Sequence, residues 1–242
     1  MELHNRVALV TGGAHRLGKA IALALGRAGA KVVIHYHSSA QKAERTIAEL
    51  QELGVETLAL SGDIAVVEEI EQIVDQASSH WGRLDILVNN AGIWGATPIG
   101  SVTQERWDEL LAINVRSMFF AAQRATPHLR KTQGCIVNIA DVGALRPWRN
   151  YTPYLVSKGG VITLTEALAK DLAPDIRVNA VAPGAVLMPD DWTQEQADAS
   201  LRTIPLRRWG NADDIGQAVA YLVQADYVTG VTIPVDGGQR LH

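Results

Sequence analysis

The sequence predicts the α/β class: a doubly wound parallel sheet covered by helices on both faces. Three observations predict it. Short runs rich in Val and Ile alternate with longer helical patterns along the chain. Those runs are continuously apolar rather than alternating, as strands buried on both faces should be. A glycine turn, Thr11-Gly12-Gly13-Ala14-His15-Arg16-Leu17-Gly18, follows the first run and opens a helical pattern.

The elements follow in order. Val7–Val10 is the first strand, and Leu17–Ala28 the helix after its glycine turn. Lys31–His35 is a strand, followed by a helix over Ala40–Leu53. Glu56–Leu60 is a strand and Ala65–Trp81 a helix. Asp85–Asn89 leads to a long helical pattern over Gln104–Thr132. Gly134–Ile139 precedes the helix Tyr154–Leu172. Arg177–Ala182, the helix Asp213–Ala225 and the strand Val231–Val235 complete the chain. In such β-α alternation ligands sit at the carboxyl ends of the strands. The motifs below fall at those ends.

Composition excludes several functions. The 242 residues suffice for one α/β domain with a substantial core. A net charge of −4 gives no reason to expect nucleic acid or an anionic membrane as partner. The single cysteine, Cys135, cannot form an intrachain disulfide and fits a reducing compartment. No signal-peptide core opens the chain, and no apolar stretch approaches the ~20 residues a membrane helix requires. A cytoplasmic enzyme is expected.

Four segments carry chemistry. The glycine turn lets backbone N–H groups and a helix N-terminus meet a pyrophosphate, although a tight structural turn would read the same way. The second strand ends in His35-Tyr36-His37-Ser38-Ser39. NAD binders usually place an acid here for the ribose hydroxyls, and none is present. His37, Ser38 and Ser39 can instead accept a 2′-phosphate, helped by His15 or Arg16, which favours NADP(H). The plainer alternative for His37 is a loop histidine without a ligand. A metal reading of His35 and His37 is weaker, because no further ligand cluster accompanies them. After the fourth strand, Asn89-Asn90-Ala91-Gly92-Ile93-Trp94 lets a nicotinamide-ribose half approach the backbone. Trp94 then projects into the crevice or packs under the following loop. Finally, Tyr154 and Lys158 are four apart and share a helix face. The lysine is expected to lower the tyrosine pKa towards neutrality, making the phenol a usable proton donor or acceptor. Asp141 lies thirteen residues before Tyr154 and joins the pair if its strand ends at the same crevice. A hydroxyl there would donate to a developing oxyanion, whereas a carboxylate would repel one.

Taken together, Thr11-Gly12 with Gly18, Asn89-Asn90-Ala91-Gly92, Tyr154 with Lys158, Pro183-Gly184 and Val235-Asp236-Gly237-Gly238 resemble the short-chain dehydrogenases/reductases over essentially the whole chain. The resemblance implies a single Rossmann-type domain over residues 1–242, with an extra strand, assembled as a homotetramer. It implies that Asn114 helps hold a water near Lys158 and that Asp63, with Ile64 beside it, meets the adenine. Gly12, His15, Arg16, Leu17 and Gly18, then Asn90, Ala91 and Gly92, then Pro183, Gly184 and Val186 are expected along the cofactor. Two positions depart from the common family pattern. Arg16 stands at the middle glycine of the turn, and Asp141 stands at the catalytic serine. Both departures, with His35-Tyr36-His37 and Trp94, resemble the pteridine and dihydromonapterin reductases, where an aromatic sandwiches the pterin against the nicotinamide. Ser38 departs from that branch, which carries an arginine there.

The expected function is an NADPH-dependent reductase of a dihydropterin or related ring. Reducing a ring C=N places the new proton on nitrogen, and a carboxylate accepts from the ring's N–H donors or relays a proton. A flat ring would stack on Trp94, and Arg16 would bridge the pterin and the pyrophosphate. Asp141, Tyr154, Lys158 and Asn114 are the expected catalytic set. The alternative for Asp141 is a turn or capping aspartate. The alternative enzyme is a carbonyl or alcohol oxidoreductase, such as a 3-oxoacyl carrier-protein reductase or a sugar dehydrogenase. A third reading is a non-catalytic dinucleotide-binding regulator, against which the intact Tyr154 and Lys158 argue. Residues 185–208, with Met188, Pro189, Asp190, Asp191 and Trp192 and no strong core pattern before Pro205, read as a mobile substrate flap. Met118, Phe119 and Phe120 read as apolar surface beyond one core face and suggest pairing of the long helices across subunits.

Overall fold

The computed structural model describes residues 1–188 and 193–241. Among them are seven strands: β1 (Val7–Val10), β2 (Lys31–Tyr36), β3 (Thr57–Ser61), β4 (Ile86–Asn89), β5 (Cys135–Ile139), β6 (Arg177–Pro183) and β7 (Thr232–Val235). They form one sheet in the order β3-β2-β1-β4-β5-β6-β7. Every neighbouring pair is parallel. The chain therefore winds outward from β1 in one direction and from β4 in the other. The crevice left above the carboxyl ends of these two strands is where such sheets place ligands.

The helices are α1 (Arg16–Arg27), α2 (Ala40–Glu52), α3 (Val67–His80), α4 (Gln104–Leu111), α5 (Ser117–Thr132), α6 (Thr152–Leu172), α7 (Gln194–Leu201) and α8 (Ala212–Gln224). The pleat divides their work, because successive strand residues point to opposite faces. Ala8 and Val10 pack with Ile21 and Leu25 of α1, Leu50 of α2 and Ile215, Val219 and Leu222 of α8. Val7 and Leu9 pack with Ile70, Ile73 and Val74 of α3, Ala121, Ala125 and Leu129 of α5, and Leu168 and Leu172 of α6. Each fully buried Leu or Ile in these layers contributes about 1.5–3 kcal/mol relative to exposure.

The amino ends of β1 and β4 are bolted together by a charge cluster. Asp85 is fully buried and accepts hydrogen bonds from Arg6 Nη1 at 2.7 Å, Val7 N at 3.0 Å and Arg83 Nε at 2.8 Å. Burial alone would raise this carboxyl. The bonds from Arg83, Val7 and Arg6 overcome it and hold the group below its ordinary value. The cluster lies at the end of the strands away from the crevice, so the sheet is braced from below.

The expected strands are all present, with ends shifted by no more than one residue. Three expectations need correction. The pattern over Gln104–Thr132 is not one helix. A wide π-type turn over Ala112–Arg116 separates α4 from α5. The segment expected to lack a core pattern contains α7, with a capping box between Thr193 and Gln196, and it buries Val186, Ala197 and Ile204. Pro189, Asp190, Asp191 and Trp192 of the expected flap lie outside the described residues. Of the apolar trio on α5, Met118 is buried and Phe120 packs against the core, so only Phe119 faces outward.

Candidate active site

The glycine turn is held by hydrogen bonds from β2 and β4. Gly12 sits at a φ of 62°, the left-handed region that favours glycine. Its N–H donates to His35 Nδ1 at 3.3 Å, and Gly13 N donates to the His35 carbonyl at 2.9 Å. Thr11 Oγ1 accepts from both Asn90 N and Ala91 N at 3.0 Å. Asn90 Nδ2 donates to the Thr11 carbonyl at 2.8 Å and the Gly12 carbonyl at 3.2 Å. The Gly12 N–H is therefore engaged inside the protein, and the N–H groups that could meet a phosphate lie further along, at the start of α1. There His15 makes no side-chain cap and the first turn holds no acid. The N-terminal N–H groups and the positive end of the helix dipole thus favour an anion.

Two further observations fit a dinucleotide. His15 Nδ1 is buried without a hydrogen-bond partner. Glycines stand where any side chain would intrude. A Cβ on Gly18 would collide with the Gly12 carbonyl oxygen, and one on Gly92 would come within 3.1 Å of Asn114 Oδ1 and 3.5 Å of Lys158 Nζ. Arg16 opens α1 with a φ of 53°, an uncommon conformation for a residue with a side chain. Leu17 is half-buried behind it. His37 and Ser38 are exposed and Ser39 half-buried at the end of β2, open to a phosphate beyond the ribose. Asp63 Oδ1 accepts from Ala65 N at 2.9 Å, and Ile64 is buried beside it. Across the crevice, Gly184 N donates to the Val235 carbonyl at 3.0 Å, with Pro183 ending β6 and Val186 buried. Among the described residues, no group of three or more His, Cys, Asp or Glu side chains is placed to hold a metal.

Asp141, Tyr154 and Lys158 do meet. The Tyr154 hydroxyl donates to Asp141 Oδ2 at 2.7 Å, and Asp141 Oδ1 accepts from Gly143 N at 2.7 Å. Asp141 is thus both a turn cap and the tyrosine's partner. Lys158 Nζ donates to the Ile139 carbonyl at 2.8 Å and lies 6.0 Å from the centroid of the Tyr154 ring. The expectation that lysine pulls the phenol towards neutrality is overturned. Burial first, then the charge of Asp141 and its acceptance of the phenolic proton, hold Tyr154 well above its ordinary value. Burial also raises Asp141, against the opposing effects of Gly143, Tyr154 and Lys158. It lowers the Lys158 ammonium to about 8, with Asp141 pulling the other way. The phenol is therefore protonated at neutral pH, suited to donating a proton and poorly suited to abstracting one.

Asn114 braces the crevice through its side chain. Its Oδ1 accepts from Ile93 N, and its Nδ2 donates to the Ile93 carbonyl and to Ser157 Oγ, each at 2.9 Å. Its side chain thus ties the β4 crevice loop to the turn of α6 that carries Lys158. The π-type turn places it there.

Trp94 is half-exposed and stacks on Tyr151, with ring centroids 5.7 Å apart and planes 7° from parallel. Trp148 meets Tyr151 edge-on at 6.3 Å. The Trp148 ring also covers Gly143, where a Cβ would collide with it. Sequence reasoning missed Tyr151 and Trp148. The only available signal was their clustering between Asp141 and Tyr154. Between β6 and α7, Val186, Leu187, Met188, Gln194, Ala197, Leu201 and Trp209 line a cavity of about 260 Å³.

The chain matches the family described as enoyl-(acyl carrier protein) reductase over residues 12–240. It is 36% identical to the 3-oxoacyl-[acyl-carrier-protein] reductase FabG of Staphylococcus epidermidis, covering 98% of this chain and 100% of that one. A short-chain dehydrogenase/reductase from Serratia marcescens superposes with a TM-score of 0.94 at 38% identity, covering 99% of this chain and 100% of that one. A blue fluorescent protein from a metagenomic library, solved in complex with NADPH, superposes with a TM-score of 0.92 at 35% identity, covering 99% of each chain. Matches of this extent, in sequence and in backbone, place the chain in the short-chain dehydrogenase/reductase family.

Proposed function

We propose that this oxidoreductase is an NADPH-dependent reductase of a pterin-type ring, taking a dihydropterin to the tetrahydropterin. The observation that carries the reading is the 2.7 Å bond from Tyr154 to the carboxylate of Asp141. When bound, NADPH supplies the hydride. Tyr154, held as a phenol, donates the proton. Asp141 accepts from ring N–H or amino donors, which a carboxylate does well and a serine hydroxyl less well. Lys158 balances the buried carboxylate. Trp94 offers a flat face to a flat ring. A ketone gains less here, because its developing oxyanion would lie against Asp141.

A second reading is a carbonyl reductase acting on a 3-oxoacyl thioester. The names of the relatives favour it, at 36–38% identity over 97–98% of this chain. Residue 141 favours the first reading. NADPH-oxidation assays with dihydrobiopterin, dihydromonapterin, dihydrofolate and an acetoacetyl thioester, run side by side, separate the two. Turnover of the thioester alone would overturn the pterin reading, and oxidation with none of them would favour a non-catalytic binder.

We also infer a single domain with a flap including residues 193–208 over the substrate, and a homotetramer in the cytoplasm. The resemblance supports the assembly, as do Phe119 and Val156, which face outward from α5 and α6. Light scattering at micromolar concentration should give four times the chain mass.

A further inference from the structure

His35 is a titratable side chain at the ligand end of the sheet, on the second strand from one edge. It lies at the end of β2 and is 2% exposed. Its Nδ1 accepts the Gly12 N–H at 3.3 Å, and its Nε2 lies 2.9 Å from the Gly62 carbonyl. A carbonyl only accepts, so Nε2 carries the proton and Nδ1 is bare. The backbone of the same strand end completes the clamp. The His35 carbonyl takes Gly13 N at 2.9 Å, and the Tyr36 carbonyl takes Gly62 N at 3.1 Å. One residue thus links the glycine turn after β1 to the loop after β3, the two segments expected against pyrophosphate and adenine.

We propose that His35, as the neutral Nε2–H tautomer, is the positioning residue of the dinucleotide turn, and that protonating it releases Gly12 and weakens cofactor binding. Protonated Nδ1 would face the Gly12 N–H donor to donor, a repulsive contact in a buried place. The bonds from Asn90 to Thr11 and Gly12 and from Gly13 N to the His35 carbonyl keep the turn in place, but the Gly12 N–H would lose its acceptor and the peptide leading into α1 would shift. The surroundings set the sign. Burial disfavours the charged ring, the Gly62 bond favours it, His37 disfavours it and Asp63 favours it. Glu69 of α3 accepts from Asp63 N at 2.7 Å, and the turn itself carries His15 and Arg16. The net effect keeps His35 neutral below the ordinary histidine value, so binding should be intact at neutral pH and fall in acid.

The test measures NADH dissociation constants calorimetrically, because NADH has no 2′-phosphate whose own titration would enter the pH dependence. In the unaltered protein the constant should rise at least about tenfold once pH falls well below the ordinary histidine value of 6.5. At pH 8, His35→Leu should raise it at least about tenfold while kcat at saturating cofactor changes little. His35→Gln, which can accept and donate with one amide, should recover part of the affinity and lose the acid dependence. A pH-independent constant in the unaltered protein overturns the proposal. So does a folded His35→Leu variant with unchanged affinity. If His35→Leu does not fold, the unaltered protein and His35→Gln still decide. The proposal concerns dinucleotide binding alone, so its failure leaves the choice between pterin and thioester open.

Discussion

Replacing Asp141 separates its two hydrogen bonds. Oδ1 caps the turn at Gly143 and Oδ2 holds the Tyr154 proton, each at 2.7 Å. Asp141→Asn keeps the shape and the cap while removing the charge. A turn cap is worth about 1 kcal/mol and Asn and Ser cap about as well as Asp, so both variants should leave the melting temperature nearly unchanged. A hydrogen bond to a charged group is worth about 1.5–3 kcal/mol. At about 1.4 kcal/mol per decade, that is roughly a 10- to 150-fold loss of kcat/KM on dihydropterin for either variant. On a small ketone Asp141→Ser should show the opposite sign, because a hydroxyl returns an oxyanion donor and the repelling charge is gone. Stopped-flow or steady-state NADPH oxidation with both substrates measures this directly. Full pterin turnover in Asp141→Asn would reduce Asp141 to a turn cap and remove the main support for a pterin substrate.

Three other outcomes are expected. The rate should fall as pH rises through about 8, where Lys158 loses its proton, and Lys158→Arg should move that limb to higher pH in whatever activity remains. Asp85→Ala should destabilise the fold by about 1–3 kcal/mol in urea titrations, since the buried Val7 N–H loses its acceptor while the partly exposed Arg6 and Arg83 turn to water. The Asp85 pKa is lower in the folded state than in the unfolded chain, so its stabilisation is complete above the unfolded value near 3.8 and is lost as pH falls through the folded value. NADPH should bind at least about tenfold more tightly than NADH at neutral pH by calorimetry, through one charge-assisted contact near His37, Ser38 and Ser39.

Much of this architecture was readable because parallel strands buried on both faces leave uninterrupted apolar runs, such as Val7–Val10 and Ile86–Val88. The meeting of Asp141, Tyr154 and Lys158 was readable from a spacing of four on a helix and a strand ending beside it. The direction of the tyrosine shift was not. It depends first on how deeply the phenol is buried and then on the carboxylate of Asp141 beside it, and a sequence carries neither depth nor distance. Helix α7 was missed because its eight residues bury little besides Ala197, leaving no amphipathic stripe. Its one local signal was Thr193 followed three residues later by Gln196. His35 read as the last residue of its strand, at the edge of a ligand loop, yet the strand runs one residue beyond it and the side chain is buried. The comparisons support the family and weigh towards the alternative enzyme, since overall similarity reports the shared scaffold more than residue 141.

The wide turn at Ala112–Arg116 has a consequence for how this site can change. Such a turn holds one residue more than an α-helix joining the same two ends, so it is a property of chain length and no single side chain creates it. Substitutions along Gln104–Thr132 should therefore leave Asn114 aimed at Ile93 and Ser157. Deleting one residue upstream would restore ordinary winding and rotate Asn114 by about 100° around the helix axis. The segment should tolerate replacement and reject shortening, a pattern that a deletion scan would show and an alanine scan would not.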